Sequence, residues 1–227
     1  MRKSRRNQSS DRAIAHQCHL GYALVSHPGP TLVLLVRHGA TEWSTSGRHT
    51  GRTDIDLTDF GRDQVRRVRP VLRRLIDERL EGGRLTVFTS PLARAKETAA
   101  LAMPDVDADE VPMLAEVDYG DYEGLTIAEI HKIDPTWDVF TTASPGGDSP
   151  ASAAARCDSF IAKMERVATG GMVVAFTHGH ISRMLTARLL GLPVASGAVF
   201  YNDTASIAMV ELRRGEMVLT GWNIGGQ

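Results

Sequence analysis

Two arginines and three histidines fall in three short segments of the chain: Arg37-His38-Gly39, Ser90-Pro91-Leu92-Ala93-Arg94 and Thr177-His178-Gly179-His180. Arginine forks match phosphate oxygens in pairs, and a helix N-terminus adds backbone N–H groups aimed at the same anion. A phosphoryl group in transfer spreads its charge over three oxygens, so positioning and electrostatic stabilisation carry most of the catalysis. Two imidazoles beside two arginines permit a division of labour, one neutral and nucleophilic, the other protonated and clamping phosphate. Attack by a side chain splits one hard displacement into two easier ones. An alkoxide leaving group also needs a proton. Glu116, in Leu114-Ala115-Glu116-Val117-Asp118-Tyr119-Gly120, is the candidate carboxylate, with Asp118, Asp121 and Glu123 as nearby rivals that residue chemistry ranks only weakly.

A basic loop, Arg48-His49-Thr50-Gly51-Arg52, is placed to hold a second substrate anion, although an ordinary polar loop would read the same way. His180 and Arg183, three apart on a helix, either face the mouth of the pocket or sit on a solvated surface. The bland alternative for Arg94 is a surface pair with Glu97. Trp43 reads as packing. Eight histidines invite a metal hypothesis, yet no His-x-x-x-His pair lies beside carboxylates in helical register and thiol pairs are absent, so no metal is expected.

These segments need a scaffold that brings them to one edge. Each follows an apolar run: Thr31–Val36, Leu85–Thr89 and Met172–Phe176, read as strands buried on both faces. Between them lie helical patterns. Thr58 is a natural N-cap, and Val65, Val68, Leu72, Leu75 and Ile76 then share a face, with Pro70 predicting a kink or two consecutive helices. Pro91 suits the first turn of a helix over Leu92–Met103, and Ile181–Leu190 is a further helix stopped by Gly191 and Pro193. A hairpin of Ser206–Arg213 and Met217–Trp222, turning at Arg214-Gly215, ends the chain. The expected fold is α/β, a three-layer sandwich with a mainly parallel central sheet and helices on both faces. Ligands bind such sheets beyond the carboxyl ends of the strands, where all three motifs fall.

A hydrophobic content of 42%, a charged content of 23% and a net charge of -1 describe an ordinary globular chain and give no global reason to expect nucleic acid or an acidic membrane as partner. The longest strongly apolar run, Thr31–Val36, is far too short to span a bilayer. Residues 1–30, with Arg2, Lys3, Arg5, Arg6 and Arg12 against Asp11, read as a disordered basic tail; Leu20–Val25 is too short for the apolar core of a signal peptide. Residues 31–227 read as one domain. The two cysteines, Cys18 and Cys157, give no disulfide framework and fit a reducing, cytoplasmic setting.

Leu35-Val36-Arg37-His38-Gly39-Ala40-Thr41-Glu42-Trp43, Ser90-Pro91-Leu92-Ala93-Arg94-Ala95, Glu116 ahead of Tyr119-Gly120-Asp121-Tyr122-Glu123-Gly124, and Thr177-His178-Gly179 together resemble the histidine phosphatase superfamily, in its phosphoglycerate-mutase-like branch. The resemblance implies that His38 is the nucleophile, that Arg37, Arg94 and His178 hold the phosphoryl group, that Glu116 donates the proton, and that no metal or organic cofactor takes part. Ser44, Thr50, Gly51, Arg48, Arg52, Gly179 and His180 are the candidate substrate contacts. The Trp43–Asp54 segment is more similar to the acid-phosphatase and sugar-bisphosphatase members than to the mutases, which usually carry a phosphate-binding asparagine where Ser44 stands. Only 62 positions separate Glu116 from His178, little room for the basic insertion with which mutases cover their substrate. The expected activity is that of a histidine acid phosphatase-type phosphomonoesterase on a small phosphorylated metabolite such as a sugar phosphate. The alternatives are a cofactor-dependent phosphoglycerate mutase and a non-catalytic phospho-ligand binding module. Neither nucleic acid nor a membrane is an expected partner, and a homo-oligomer is allowed.

Overall fold

The computed structural model describes residues 29–80 and 82–225. Among the described residues the strands and α-helices follow in chain order: β1 (Leu32–Arg37), α1 (Glu42–Ser46), α2 (Asp59–Arg79), β2 (Leu85–Thr89), α3 (Ala93–Ala102), β3 (Asp109–Glu110), α4 (Ile127–Ile133), α5 (Pro150–Val167), β4 (Met172–Thr177), α6 (Gly179–Leu189), β5 (Ile207–Arg213) and β6 (Glu216–Ile224). The strands form one sheet in the order β3-β2-β4-β1-β5-β6. Its first four strands are parallel, and the β5–β6 hairpin is added antiparallel against β1.

Alternation along β1 builds the layers, because successive side chains of a strand point to opposite faces. Val33 and Leu35 join the core on the side of α5 and α6, with Phe160, Met164, Met184 and Leu185. Leu32, Leu34 and Val36 join the core on the side of α2 and α3, with Val65, Val68, Leu72 and Ala99. Continuous apolar runs at β1 and β4 are what burial on both faces requires, and the three-layer α/β sandwich follows.

Three local expectations change. Residues 59–79 form one helix that runs through Pro70, not two. Its buried stripe, Val65 and Val68 before the proline and Leu72, Leu75 and Ile76 after it, stays on the sheet on both sides. Pro91 lies outside α3, whose N-cap is Leu92. Helix α5 was not foreseen, although its signals are present: a Ser149/Ser152 capping box, Pro150 in the first turn, and Ala153, Cys157, Phe160 and Met164 buried at helical spacing. Of the expected tail only Gly29 and Pro30 fall among the described residues, and the Gly29 carbonyl accepts the Gly170 N–H at 3.0 Å. Cys157 is buried and unpaired, while Cys18 lies outside the described residues. Among the described residues no helix is long and apolar enough to cross a membrane.

Candidate active site

The parallel register assembles the three motifs. Arg37 of β1 pairs with Thr177 of β4, and Thr89 of β2 pairs with Phe176, so residues 37–38, 90 and 177–178 leave the sheet side by side. The His38 N–H donates to the Thr177 carbonyl at 2.9 Å and fastens the first motif to the third.

His38 is buried, with its Nδ1 2.7 Å from its neighbour's carbonyl, Gly39 O. A carbonyl only accepts, so Nδ1 carries the proton and Nε2 keeps its lone pair. Burial, reinforced by the charges of Arg94 and then Arg37, holds the imidazole well below its ordinary value. His38 is thus a buried imidazole, fixed in orientation, with a lone pair at Nε2. Arg37 donates through Nη1 to the Asn202 carbonyl at 2.7 Å, whereas its buried Nε has no partner among the described residues. Gly179 makes room for it: a Cβ there would stand 3.2 Å from Arg37 Cζ.

Arg94 and His178 lie behind this pair. Arg94, in the first turn of α3, is 0% exposed. It donates to the carbonyls of Thr53, Thr50 and Gly51, each at 3.0 Å, and through Nε to His178 Nδ1 at 3.1 Å. Four of its five N–H groups are engaged, leaving one on Nη1. The pairing with Glu97 does not form, because Glu97 takes Arg62 at 2.6 Å. His178 accepts from Arg94 at Nδ1, so its proton sits on Nε2 and is donated to Ser90 Oγ at 2.7 Å. Burial, with Arg94, His38 and Arg37 adding to it, lowers its pKa well below the usual imidazole range. A second ring proton would face the Arg94 donor, so this arrangement does not favour the protonated clamp expected of His178.

Glu116 is tied to the far end of the third motif. Its Oε1 accepts the N–H groups of Val117 and Ile181, both at 2.9 Å, and its Oε2 accepts that of His180 at 3.0 Å. The carboxylate thus caps α6, whose N-cap residue His178 makes no side-chain cap. The rivals are occupied elsewhere. Glu123 accepts the Gly51 and Thr53 N–H groups, Asp118 pairs with Arg52 at 2.6 Å, and Asp121 is exposed.

A pocket of about 270 Å³ opens over His38, Arg37 and Glu116. Ser44, Arg48, Thr50, Gly179, His180 and Arg183 also line it. Ser44 engages its hydroxyl in the capping box of α1, and Arg48 donates to the Gly124 carbonyl at 2.6 Å. Arg94 and His178 lie behind this lining, and two of the expected substrate contacts fall outside it. Arg52, with a side chain 83% exposed, turns to Asp118, and Gly51 packs where a Cβ would come within 2.5 Å of the Val117 carbonyl. Sequence reading missed Tyr119, Tyr201 and Asn202 in the pocket wall. Tyr119 Oη lies 2.5 Å from His180 Nδ1, and the ring of His49 stacks on that of His180. Tyr119 lay inside a quoted motif, but no residue-type signal marks Tyr201 or Asn202. Among the described residues no group of three or more His, Cys, Asp or Glu is placed to share a metal ion.

This geometry has relatives. The chain belongs to the histidine phosphatase superfamily, branch 1, whose profile matches residues 33–225. An acid phosphatase of Mycobacterium tuberculosis is 40% identical over 184 residues, 81% of this chain and 87% of the relative. A 2,3-bisphosphoglycerate-dependent phosphoglycerate mutase of Methylobacterium radiotolerans is 35% identical over 181 residues, 72% of this chain and 81% of its own. A solved structure of an open-reading-frame product from Mycobacterium tuberculosis superposes with a TM-score of 0.80 at 38% identity, covering 86% of this chain and 98% of that one.

Proposed function

We propose that the chain is a phosphomonoesterase working through a phosphohistidine on His38, with a small phosphorylated metabolite such as a sugar phosphate as substrate. The observation that carries this reading is the Nδ1–H bond from His38 to the Gly39 carbonyl, which leaves Nε2 as the nucleophilic atom beside Arg37 and Glu116 in one pocket. The unpartnered Arg37 Nε and the last Nη1 N–H of Arg94 are the donors for phosphoryl oxygens. His178 contributes by orienting Arg94. His38 Nε2 attacks phosphorus, the bond to the leaving oxygen breaks, and Glu116 protonates that oxygen. Oε2, with one N–H partner, is the oxygen free to carry the proton. Water then attacks the phosphohistidine and gives its proton to Glu116; the P–N bond breaks and phosphate leaves.

The lowered pKa of His38 keeps the nucleophile unprotonated in acid, which supports an acid-phosphatase type. Arg48 and Arg183 at the rim supply charge for a second anionic group on the substrate. The test is phosphate release across sugar phosphates and phosphorylated small acids, with a quenched reaction analysed for acid-labile label on His38. Net hydrolysis with negligible interconversion of 2- and 3-phosphoglycerate is expected. Rapid isomerisation primed by bisphosphoglycerate, with little free phosphate, overturns hydrolysis in favour of the mutase.

A further inference from the structure

The segment that carries Glu116 belongs to no strand or α-helix, yet its carbonyls are tied. Four consecutive carbonyls each receive a side-chain donor. Thr177 Oγ1 takes Leu114 O at 2.8 Å, and Arg156 alone reaches the other three: Met113 O at 3.3 Å and Ala115 O from Nη1, and Glu116 O at 3.3 Å from Nη2. Buried backbone outside regular structure must find such partners, and normally several different residues supply them. Here one planar fork spans the turn just before the proposed acid.

The same fork reaches the other side of Glu116 through Asp148. Arg156 Nη2 donates to Asp148 Oδ2 at 3.0 Å, and that oxygen accepts the Asp118 N–H, also at 3.0 Å. The second oxygen, Oδ1, is held by Ser152 Oγ at 2.8 Å, and the Asp148 N–H returns to Asp118 O at 2.8 Å. Residues 115, 116 and 118 are thereby bracketed by one ion pair at the N-terminal end of α5. The Glu116 carboxylate, meanwhile, is gripped by the N-terminus of α6.

We propose that Arg156, locked by Asp148, is a positioning residue that fixes Glu116 for proton transfer to the leaving group; this rests on the reading of Glu116 as the acid. Backbone from α5 and carboxylate from α6 fix the two ends of one side chain, and neither clamp alone sets where Oε2 points. A lysine keeps the charge but not the planar fork, so it cannot reach three carbonyls and a carboxylate together. A displacement of about 1 Å in a positioning element costs on the order of 10²-fold in rate.

The experiment compares an alkyl phosphate, whose leaving oxygen needs a proton, with nitrophenyl phosphate, whose leaving group does not. For Arg156→Lys we expect kcat on the alkyl ester to fall ~10–100-fold while nitrophenyl phosphate changes less than about 3-fold. Asp148→Asn gives the same signature at smaller size, and it carries the comparison alone if Arg156→Lys fails to fold. Adding Arg156→Lys to Glu116→Gln should bring no further loss specific to the alkyl ester, because both act on one proton. Equal losses on both esters, no loss on either, or full additivity in the double variant overturns the positioning role. Glu116→Gln alone separates the two possible failures. If it discriminates between the esters and Arg156→Lys does not, only the positioning role falls; if it does not discriminate, the acid assignment falls with it.

Discussion

Replacing Arg94 by alanine tests whether this arginine holds the site together or only meets substrate. The guanidinium is 0% exposed and its four bonds end on three loop carbonyls and one imidazole nitrogen. A hydrogen bond to a charged group is worth about 1.5–3 kcal/mol, but the sum of four overstates the loss, since burial of the cation itself is unfavourable. Alanine leaves three loop carbonyls and His178 Nδ1 without their donor; at about 1–3 kcal/mol for each orphaned buried group, partly relieved as the loop relaxes, the loss is about 3–5 kcal/mol, a large part of the ~5–15 kcal/mol that holds a domain folded. With a urea dependence of about 3 kcal/mol per molar, the unfolding midpoint of Arg94→Ala should fall by ~1–1.7 M. Urea titration followed by circular dichroism measures it. Arg94→Lys should recover only a small part, because an ammonium group cannot serve both the 50–53 loop and His178. A midpoint within ~0.3 M of the parent, with only kcat/KM reduced, would refute the reasoning: the loop would then stand without Arg94, leaving substrate contact as its whole role.

His38→Ala should lower kcat by at least ~10⁴-fold, about 5.5 kcal/mol, with loss of the acid-labile label; near-normal turnover in a phosphate-release assay would remove His38 from the mechanism. His38, His49, His178 and His180 are all lowered from the ordinary histidine value of 6.5, chiefly by burial, so the unfolded chain binds protons there that the folded chain does not. Stability should thus be complete above the ordinary histidine range and fall as pH drops below ~6.5, by up to about 1.4 kcal/mol per pH unit for each group, in thermal melts at stepped pH. Gly61→Ala, in α2, should destabilise although alanine is the better helix former by about 1 kcal/mol, because its Cβ would lie 2.1 Å from the Ala40 carbonyl; an unchanged or raised melting temperature would contradict that packing.

What could be read from the residues depended on whether a signal was local. Val33 and Leu35 against Leu34 and Val36 already encode a strand buried on two faces, and Gly191 with Pro193 marks the end of α6. The position of the motifs after the strands is local too, so Arg37, His38, Ser90 and His178 were legible as neighbours. Which atoms face the substrate is not local. The carbonyls of Thr50, Gly51 and Thr53 claim Arg94 from 41–44 residues away in sequence, and no residue type announces a carbonyl. Arg52 looks as basic as Arg48 in the sequence, and only the position of Asp118 decides that it turns aside. Arg156 was invisible for the same reason, since three of its four partners are backbone carbonyls of a turn.

The histidine charge states show how tightly these non-local choices are coupled. Burial depresses His38 most, with Arg94 and Arg37 adding to it, and burial followed by Arg94, His38 and Arg37 depresses His178. The cations that would neutralise a bound phosphoryl group thus reinforce burial in keeping the proposed nucleophile deprotonated before it binds. A dianionic ester entering the pocket offsets that positive field, and the basicity of His38 rises when its lone pair is needed. In the proposed mechanism Nε2 is bonded to phosphorus after transfer and cannot be protonated, while the bond from Nδ1–H to the Gly39 carbonyl would hold the ring in line for water. Once phosphate departs, the arginine field again disfavours a proton on Nε2. Had His178 been a fixed imidazolium, it would have added a third cation beside His38; kept neutral by its bond from Arg94, it orients that arginine and adds no charge of its own.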